Sequence, residues 1–410
     1  MSLRTDAEKV IDAAIAAALP DTAVKRALGG EDFRDGKLVL VAIGKAAWSM
    51  SQAACELLGD RISEGVVITK YGHAQGDLPN IRIYEAGHPI PDANSFFATE
   101  EAIKLVQNLT AEDIVLFLIS GGGSALFEKP LVAEEVLKDV TEQLLACGAS
   151  ITEINTIRKR LSAVKGGKFA KLCEPAQVFS VVLSDVIGDP LDMIASGPAY
   201  PDSSTSEEAL AIVQKYRLTF SDEVMRLLRV EPPASLENVT TKITGSVKQL
   251  CMAAEKACRE LGYKPVILTT SLTCQAREAG SFLAAIAQYH SDTDQPLAFI
   301  VGGETVVHVK GKGKGGRNQE LALAAAEGIA GLEQVAVFSV GSDGTDGPTD
   351  AAGGYVDNHT KQRLSEKGIS IFATLENNDA YHALQAVDGL ILTGPTGTNV
   401  NDLSVLLIKR

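Results

Sequence analysis

Short, almost unbroken apolar runs alternate with longer helical patterns along the first half of this chain, and that alternation restricts the fold more than any other feature. Residues 37–43 (KLVLVAI), 65–69, 81–85, 114–119 and 178–183 read as strands. Helical patterns occupy 6–19, where Thr5 can cap and Pro20 can terminate, then 45–58, 95–109 and 133–146. A strand that is apolar along its whole length is buried on both faces, which requires a parallel sheet covered by helices on each side. The expected class is therefore α/β, with a doubly wound N-terminal domain. The chain has 410 residues, more than one hydrophobic core usually serves, so further domains are expected. Glu231-Pro232-Pro233-Ala234-Ser235 is the best linker, dividing the chain into 1–235 and 236–410. The second part reads as strands at 241–244, 265–269, 298–301, 305–309 and 335–340. Helices fall at 247–261, 274–289 and 317–329.

The net charge of −14 argues against nucleic acid or an anionic membrane as a partner. No uncharged apolar run approaches the roughly 20 residues needed to span a bilayer, and no secretory leader is recognisable at Met1–Asp6. The six cysteines are scattered without a CxxC pair, as expected of free thiols in a cytoplasmic protein.

Ligands of doubly wound sheets bind beyond the carboxyl ends of the strands. The first strand runs there into Gly44-Lys45-Ala46-Ala47, and the fourth into Ser120-Gly121-Gly122-Gly123-Ser124. Consecutive glycines let backbone N–H groups approach a phosphate. A lysine at the head of a helix opposes the helix dipole, so Lys45 points to a bound anion. Two segments carry cations and no acid. Arg158, Lys159, Arg160, Lys165, Lys168 and Lys171 lie in 154–173; Lys310, Lys312, Lys314 and Arg317 lie in 305–319. In an acidic chain both look like anion sites. The second also spells G-x-G-x-x-G through Gly311, Gly313 and Gly316, adjoining Gly315, after the strand at 305–309 and before the helix at 317–329, the context of a dinucleotide fingerprint. Two other strands end in carboxylates, Asp185 and Asp189 after 178–183, Asp343 and Asp346 after 335–340. Hard oxygen ligands of this kind suit Mg²⁺, although Asp-Gly pairs also simply build turns. His88, in EAGHPIPD, is a candidate for substrate contact or for a structural hydrogen bond.

Those segments carry a family resemblance. GKAA at 44–47, EAGHPIPDANS at 85–95, LISGGGSAL at 118–126, INTIRKRLSAVKGGK at 154–168 and LSDVIGDPLDMIASGP at 183–198 resemble the class II glycerate kinases. So do GGETVVHVKGKGKGGRNQELAL at 302–323, GSDGTDGPTDAAG at 341–353 and GPTGTNVNDL at 394–403, the C-terminal group being similar to the MOFRL domain. The resemblance implies a Rossmann-like N-terminal domain, a smaller mixed α/β MOFRL domain and an active site in the cleft between them. It implies ATP-dependent phosphorylation of D-glycerate to 2-phosphoglycerate, with Mg²⁺. The family's catalytic lysine falls on Lys45 and its catalytic arginine on Arg317; Asp189 or Asp185 is the expected base or metal ligand. The substrate carboxylate is expected against Ser120–Ser124 or the segment around Arg158. The rival reading is an NAD(P)H-dependent hydroxypyruvate reductase, resting on the 311–316 fingerprint. Whether the protein is a homodimer is left open.

Overall fold

The computed structural model describes residues 2–33 and 36–410, which fall into two compact units. One contains 24–184 and 189–244; the other contains the residues up to Ala23, Asp185–Gly188 and Gly245–Arg410.

The first unit is built on strands β1 (Leu38–Ile43), β2 (Ile62–Lys70), β3 (Ile81–Ala86), β4 (Ile114–Ile119), β5 (Gln177–Leu183) and β6 (Val239–Gly245). Their order is β3-β2-β1-β4-β5-β6, and the pairs from β3 to β5 are all parallel. Every residue of β1 is buried, as its unbroken apolar sequence requires. Helices Ala47–Leu58 and Ala93–Val106 pack on this sheet. Helices Glu134–Ala146, Ile151–Arg160, Ser206–Tyr216 and Asp222–Leu228 share a separate small core that includes Leu137, Leu144, Ile157 and Leu228.

The second unit is a mixed sheet of β7 (Lys264–Leu272), β8 (Leu297–Gly303), β9 (Val335–Gly341), β10 (Gly353–Asp357), β11 (Leu390–Ile391) and β12 (Asp402–Ile408), in the order β11-β10-β9-β12-β8-β7. β12 runs antiparallel between β9 and β8 and is buried along its whole length.

Three expectations change. Residues 239–245, placed beyond the linker by their neighbourhood to Pro232-Pro233, form the sixth strand of the first sheet. Beside them the Asn238 side chain donates to the carbonyls of Ala170 and Ala176, at 3.0 and 3.1 Å, so the break falls at 244/245 rather than 235/236. The first helix, Leu3–Ala18, belongs to the C-terminal unit: its stripe Ala7, Val10, Ile11 and Ala14 joins one core with Leu250, Cys251 and Val405. Buried Asp6 accepts there from Tyr263 at 2.8 Å and Lys409 at 2.7 Å. Finally, 305–309 is not a strand; only an isolated bridge joins Val306 to Gln275.

Candidate active site

In the order β3-β2-β1-β4-β5-β6 the chain reverses direction of winding between β1 and β4, the place where doubly wound sheets bind ligands. Two of the predicted loops meet there. Gly44 sits at φ 111°, open to glycine and strained for other residues, and the Lys45 amide donates to the Gly121 carbonyl at 2.9 Å. The buried Ser120 hydroxyl donates to the Ile43 carbonyl at 3.2 Å and accepts from the Ala46 amide at 3.1 Å. Ser120 thus fastens the two strand ends together.

Lysine and histidine side chains surround this junction. The Lys45 carbonyl accepts from His73 Nδ1 at 3.0 Å and Thr69 Oγ1 at 3.3 Å, which fixes the residue at its Cα. Gly122 has φ 85°, and a Cβ added to it would lie 3.1 Å from His88 Cδ2 and 3.2 Å from Lys45 Cγ, so these two side chains flank it. Lys70 ends β2 in register with Ala86, two residues before His88. Burial, followed by Lys45, Lys70 and His73, holds the His88 imidazole below its ordinary pKa, so it is neutral at physiological pH. Among the described residues neither Lys45 nor Lys70 makes an ion pair. Lys70 and His73 were not singled out from sequence. The signal was available, since Lys70 is a cation at the carboxyl end of a buried parallel strand, as Lys45 nearly is.

The loop after β5 lies against the glycine loop. A Cβ on Gly123 would come within 2.6 Å of the Ala195 Cβ, and the Ser124 and Ser196 hydroxyls are 2.8 Å apart. Ala195, Ser196 and Gly197 are consecutively left-handed, at φ 51°, 62° and 63°. Asp189 is left-handed as well, at φ 52°, and its Oδ1 is buried without a hydrogen-bond partner. Both a left-handed backbone and an orphaned buried acceptor are uncommon in a folded protein.

Acids outside the basic segment 154–173 neutralise most of its cations. Lys159 lies 3.3 Å from Asp202 and 3.6 Å from Asp192, and Arg160 shares Asp202 and Glu231. Lys165 pairs with Glu128 at 2.9 Å, both fully buried, and Lys171 pairs with Glu174 at 2.8 Å. Lys168, pushed down to about 8 mainly by burial, donates to the carbonyls of Lys159 and Ser162 at the end of helix Ile151–Arg160. Arg158 is the exception, its Nε buried with no partner.

In the C-terminal unit a cavity of about 680 Å³ is lined by Arg317, Glu304, Glu320, Asp346, Gly315 and Gly316, among others. Arg317 makes a two-pronged pair with Asp402, Nε at 2.5 Å and Nη2 at 2.9 Å, and Nη1 lies 3.3 Å from Glu304. Burial opposes the charge, but these acids outweigh it and hold the guanidinium above its ordinary pKa. The loop before it is not a dinucleotide cradle. The amides of Lys310 and Gly311 donate to Asn378 Oδ1, that of Lys312 to Asn377 Oδ1, that of Gly313 to the Asn377 carbonyl and that of Lys314 to Asp379 Oδ1. N–H groups that would face a pyrophosphate are consumed internally. Lys312 is exposed and Lys314 stacks 4.2 Å over the Tyr381 ring; neither lines the cavity.

The predicted metal carboxylates differ in what they leave open. Asp346 accepts the amides of Asn318 and Gln319, at 3.1 and 2.8 Å, capping helix Arg317–Ile329. Asp343 Oδ1 accepts from the Thr345 amide at 3.0 Å within its own turn, and the Asp185 carbonyl accepts from Asn401 at 3.1 Å. Asp189, with its orphaned Oδ1, fits a cation best. A lone protein carboxylate is enough for Mg²⁺ when substrate phosphates and water supply the remaining ligands.

Two family models match the chain: a domain of unknown function, DUF4147, over 6–229, and the MOFRL family over 297–402. The chain is 52% identical to the D-glycerate 2-kinase of Thermotoga maritima, covering 99% of both, and 41% identical to the glycerate 2-kinase of Pyrococcus horikoshii, covering 100% and 98%. It is also 38% identical, over 91% of its length and 100% of the relative's, to an Agrobacterium vitis chain that bears the name hydroxypyruvate reductase. Among solved structures, the crystal structure of glycerate kinase from Thermotoga maritima superposes with a TM-score of 0.95 at 51% identity, covering 99% of both chains. Sequence likeness over the full length and near-identity of fold agree with the loops described above: this chain belongs to the glycerate 2-kinase family built from the DUF4147 and MOFRL domains.

Proposed function

We propose that the protein transfers the γ-phosphoryl group of ATP to the 2-hydroxyl of D-glycerate. The observation that carries this reading is the Lys45 ammonium group, left without a carboxylate partner at the switch point of the parallel sheet in a chain of net charge −14. Phosphoryl transfer needs positioning and charge neutralisation more than covalent groups. Lys45, held by its carbonyl and by Gly121, stabilises negative charge on the phosphoryl group as the bond to ADP breaks and the bond to the glycerate oxygen forms. Arg317, kept charged by Asp402 and Glu304, is the cation that the cavity of the C-terminal unit offers to an anion. Mg²⁺, when bound, neutralises phosphate charge, and Asp189 is the residue that would hold it; the alternative duty of Asp189 is to take the proton leaving the hydroxyl. The two are separable in Asp189→Asn. Loss of a metal ligand raises the Mg²⁺ needed for half-maximal rate. Loss of a base leaves that requirement alone and lowers kcat by about 10²- to 10⁴-fold.

The reductase reading loses its footing, since no strand leads into 311–316 and four of that loop's amides are bonded to residues 377–379. Incubation with ATP and D-glycerate, followed by NMR identification of the product, is expected to yield 2-phosphoglycerate and ADP. Oxidation of NADH by hydroxypyruvate in the absence of ATP would reverse the assignment.

A further inference from the structure

A substrate whose reacting hydroxyl lies next to a carboxylate presents two adjacent negative centres once phosphoryl transfer begins, and a site for it needs two neighbouring anion positions. The sequence assigned the carboxylate to Ser120–Ser124 or to the cations around Arg158. The hydroxyl of Ser120 is spent on Ile43 and Ala46, that of Ser124 faces Ser196, and Lys159 and Arg160 are paired with Asp202; Arg158, whose Nε has no partner, sits in helix Ile151–Arg160 rather than at a strand end of the sheet. The cations without carboxylates in this unit that also stand at the ends of β1 and β2 are Lys45 and Lys70.

Building on the kinase reading, we infer that Lys70, with the imidazole of His88, binds the carboxylate of the acceptor substrate and so makes the enzyme selective for a 2-hydroxy acid over a neutral alcohol. Lys70 closes β2 level with Ala86, and the chain turns directly into Gly72 and His73, whose amide donates to the Lys70 carbonyl at 3.0 Å. His88 follows β3 and lies beside the same Gly122 that Lys45 flanks. His73 gives its Nδ1 proton to the Lys45 carbonyl, which leaves its ring committed to the loop. Two acids that flank His88 in sequence are engaged: Glu85 accepts from the Ala74 amide at 3.0 Å, and Asp92 accepts from Tyr71 at 2.8 Å and from Ser95 at 3.0 Å. Lys70 thus keeps its charge for a ligand, and an imidazole held neutral donates one hydrogen bond without adding a third cation. Lys45 serves the phosphoryl group and Lys70 the carboxylate.

The test compares D-glycerate with glyceramide, its neutral amide, as acceptors for wild type, Lys70→Met, Lys70→Arg and His88→Gln. Losing one charge-assisted hydrogen bond predicts a rise of about 10- to 100-fold in KM for glycerate in Lys70→Met. KM for glyceramide, which carries no charge, should rise far less than KM for glycerate, and Lys70→Arg should recover most of the loss. His88→Gln, which preserves a donor, should shift KM less than Lys70→Met does. Equal losses on both acceptors, or none on either, would overturn the inference. Wild type that makes no ADP with either acceptor would refute the kinase reading instead. Calorimetric titration of D-glycerate into wild type and Lys70→Met would then still decide whether Lys70 binds the carboxylate. If Lys70→Met does not fold, Lys70→Arg and His88→Gln carry the same comparison.

Discussion

Adding a single methyl group at Gly122 tests whether the geometry of the strand-end loops governs turnover. Gly122 holds φ 85°, where a residue with a Cβ costs about 1–2 kcal/mol. The new methyl would lie 3.1 Å from His88 Cδ2 and 3.2 Å from both His88 Nε2 and Lys45 Cγ, closer than ordinary contact, so those side chains must yield by a few tenths of an ångström. Against a typical domain stability of about 5–15 kcal/mol, the strain leaves the protein folded. Catalysis is the more sensitive readout, since a displacement of about 1 Å can cost ~10²-fold; the smaller shift here predicts about a 10-fold fall in kcat/KM. ADP release measured by a coupled assay, alongside a thermal melt, separates the two effects. A Gly122→Ala enzyme that melts a few degrees lower yet keeps wild-type kcat/KM would refute the argument that Lys45 and His88 act from these positions.

Lys165 and Glu128 form a fully buried pair, and Lys165→Met is expected to cost about 3–5 kcal/mol by stranding the Glu128 charge, with most of the loss recovered in the double variant Lys165→Met/Glu128→Leu; denaturant unfolding checks it, and a wild-type midpoint in the single variant would return this segment to ligand binding. Burial raises the Asp346 carboxyl to about 6 from an ordinary 3.8, against the pull of the Gln319 and Asn318 amides. The folded state therefore binds this proton more tightly than the unfolded one, so its contribution is full below pH 3.8 and is lost as pH rises through 6. Stability measured from pH 4 to 7 should decline less steeply in Asp346→Asn than in wild type, and an identical slope would contradict the assignment.

The parallel sheet was legible because β1, β4 and β5 are apolar from end to end, a pattern that leaves little choice of environment. The glycine loops and Lys45 were legible for the related reason that strand ends in such sheets have one place to go. What escaped depended on contacts between residues distant in sequence. The acid-free run 154–173 looked like an anion site because Asp202, Glu128 and Glu231 lie outside it, and local charge counting cannot see them. The 311–316 fingerprint resembled a phosphate loop until Asn377, Asn378 and Asp379 took its amides. Helix Leu3–Ala18 carried an obvious apolar stripe, but nothing in that stripe named helix Val247–Glu260 as its partner.

The account rests on an unpaired ammonium group at residue 45, and the most direct measurement is single-turnover transfer of the γ-phosphoryl group to D-glycerate by Lys45→Met. Loss of one preorganised charge-stabilising group predicts a rate about 10²- to 10³-fold below wild type in a protein with an unchanged melting temperature. A folded Lys45→Met enzyme that transfers the group at the wild-type rate would contradict it.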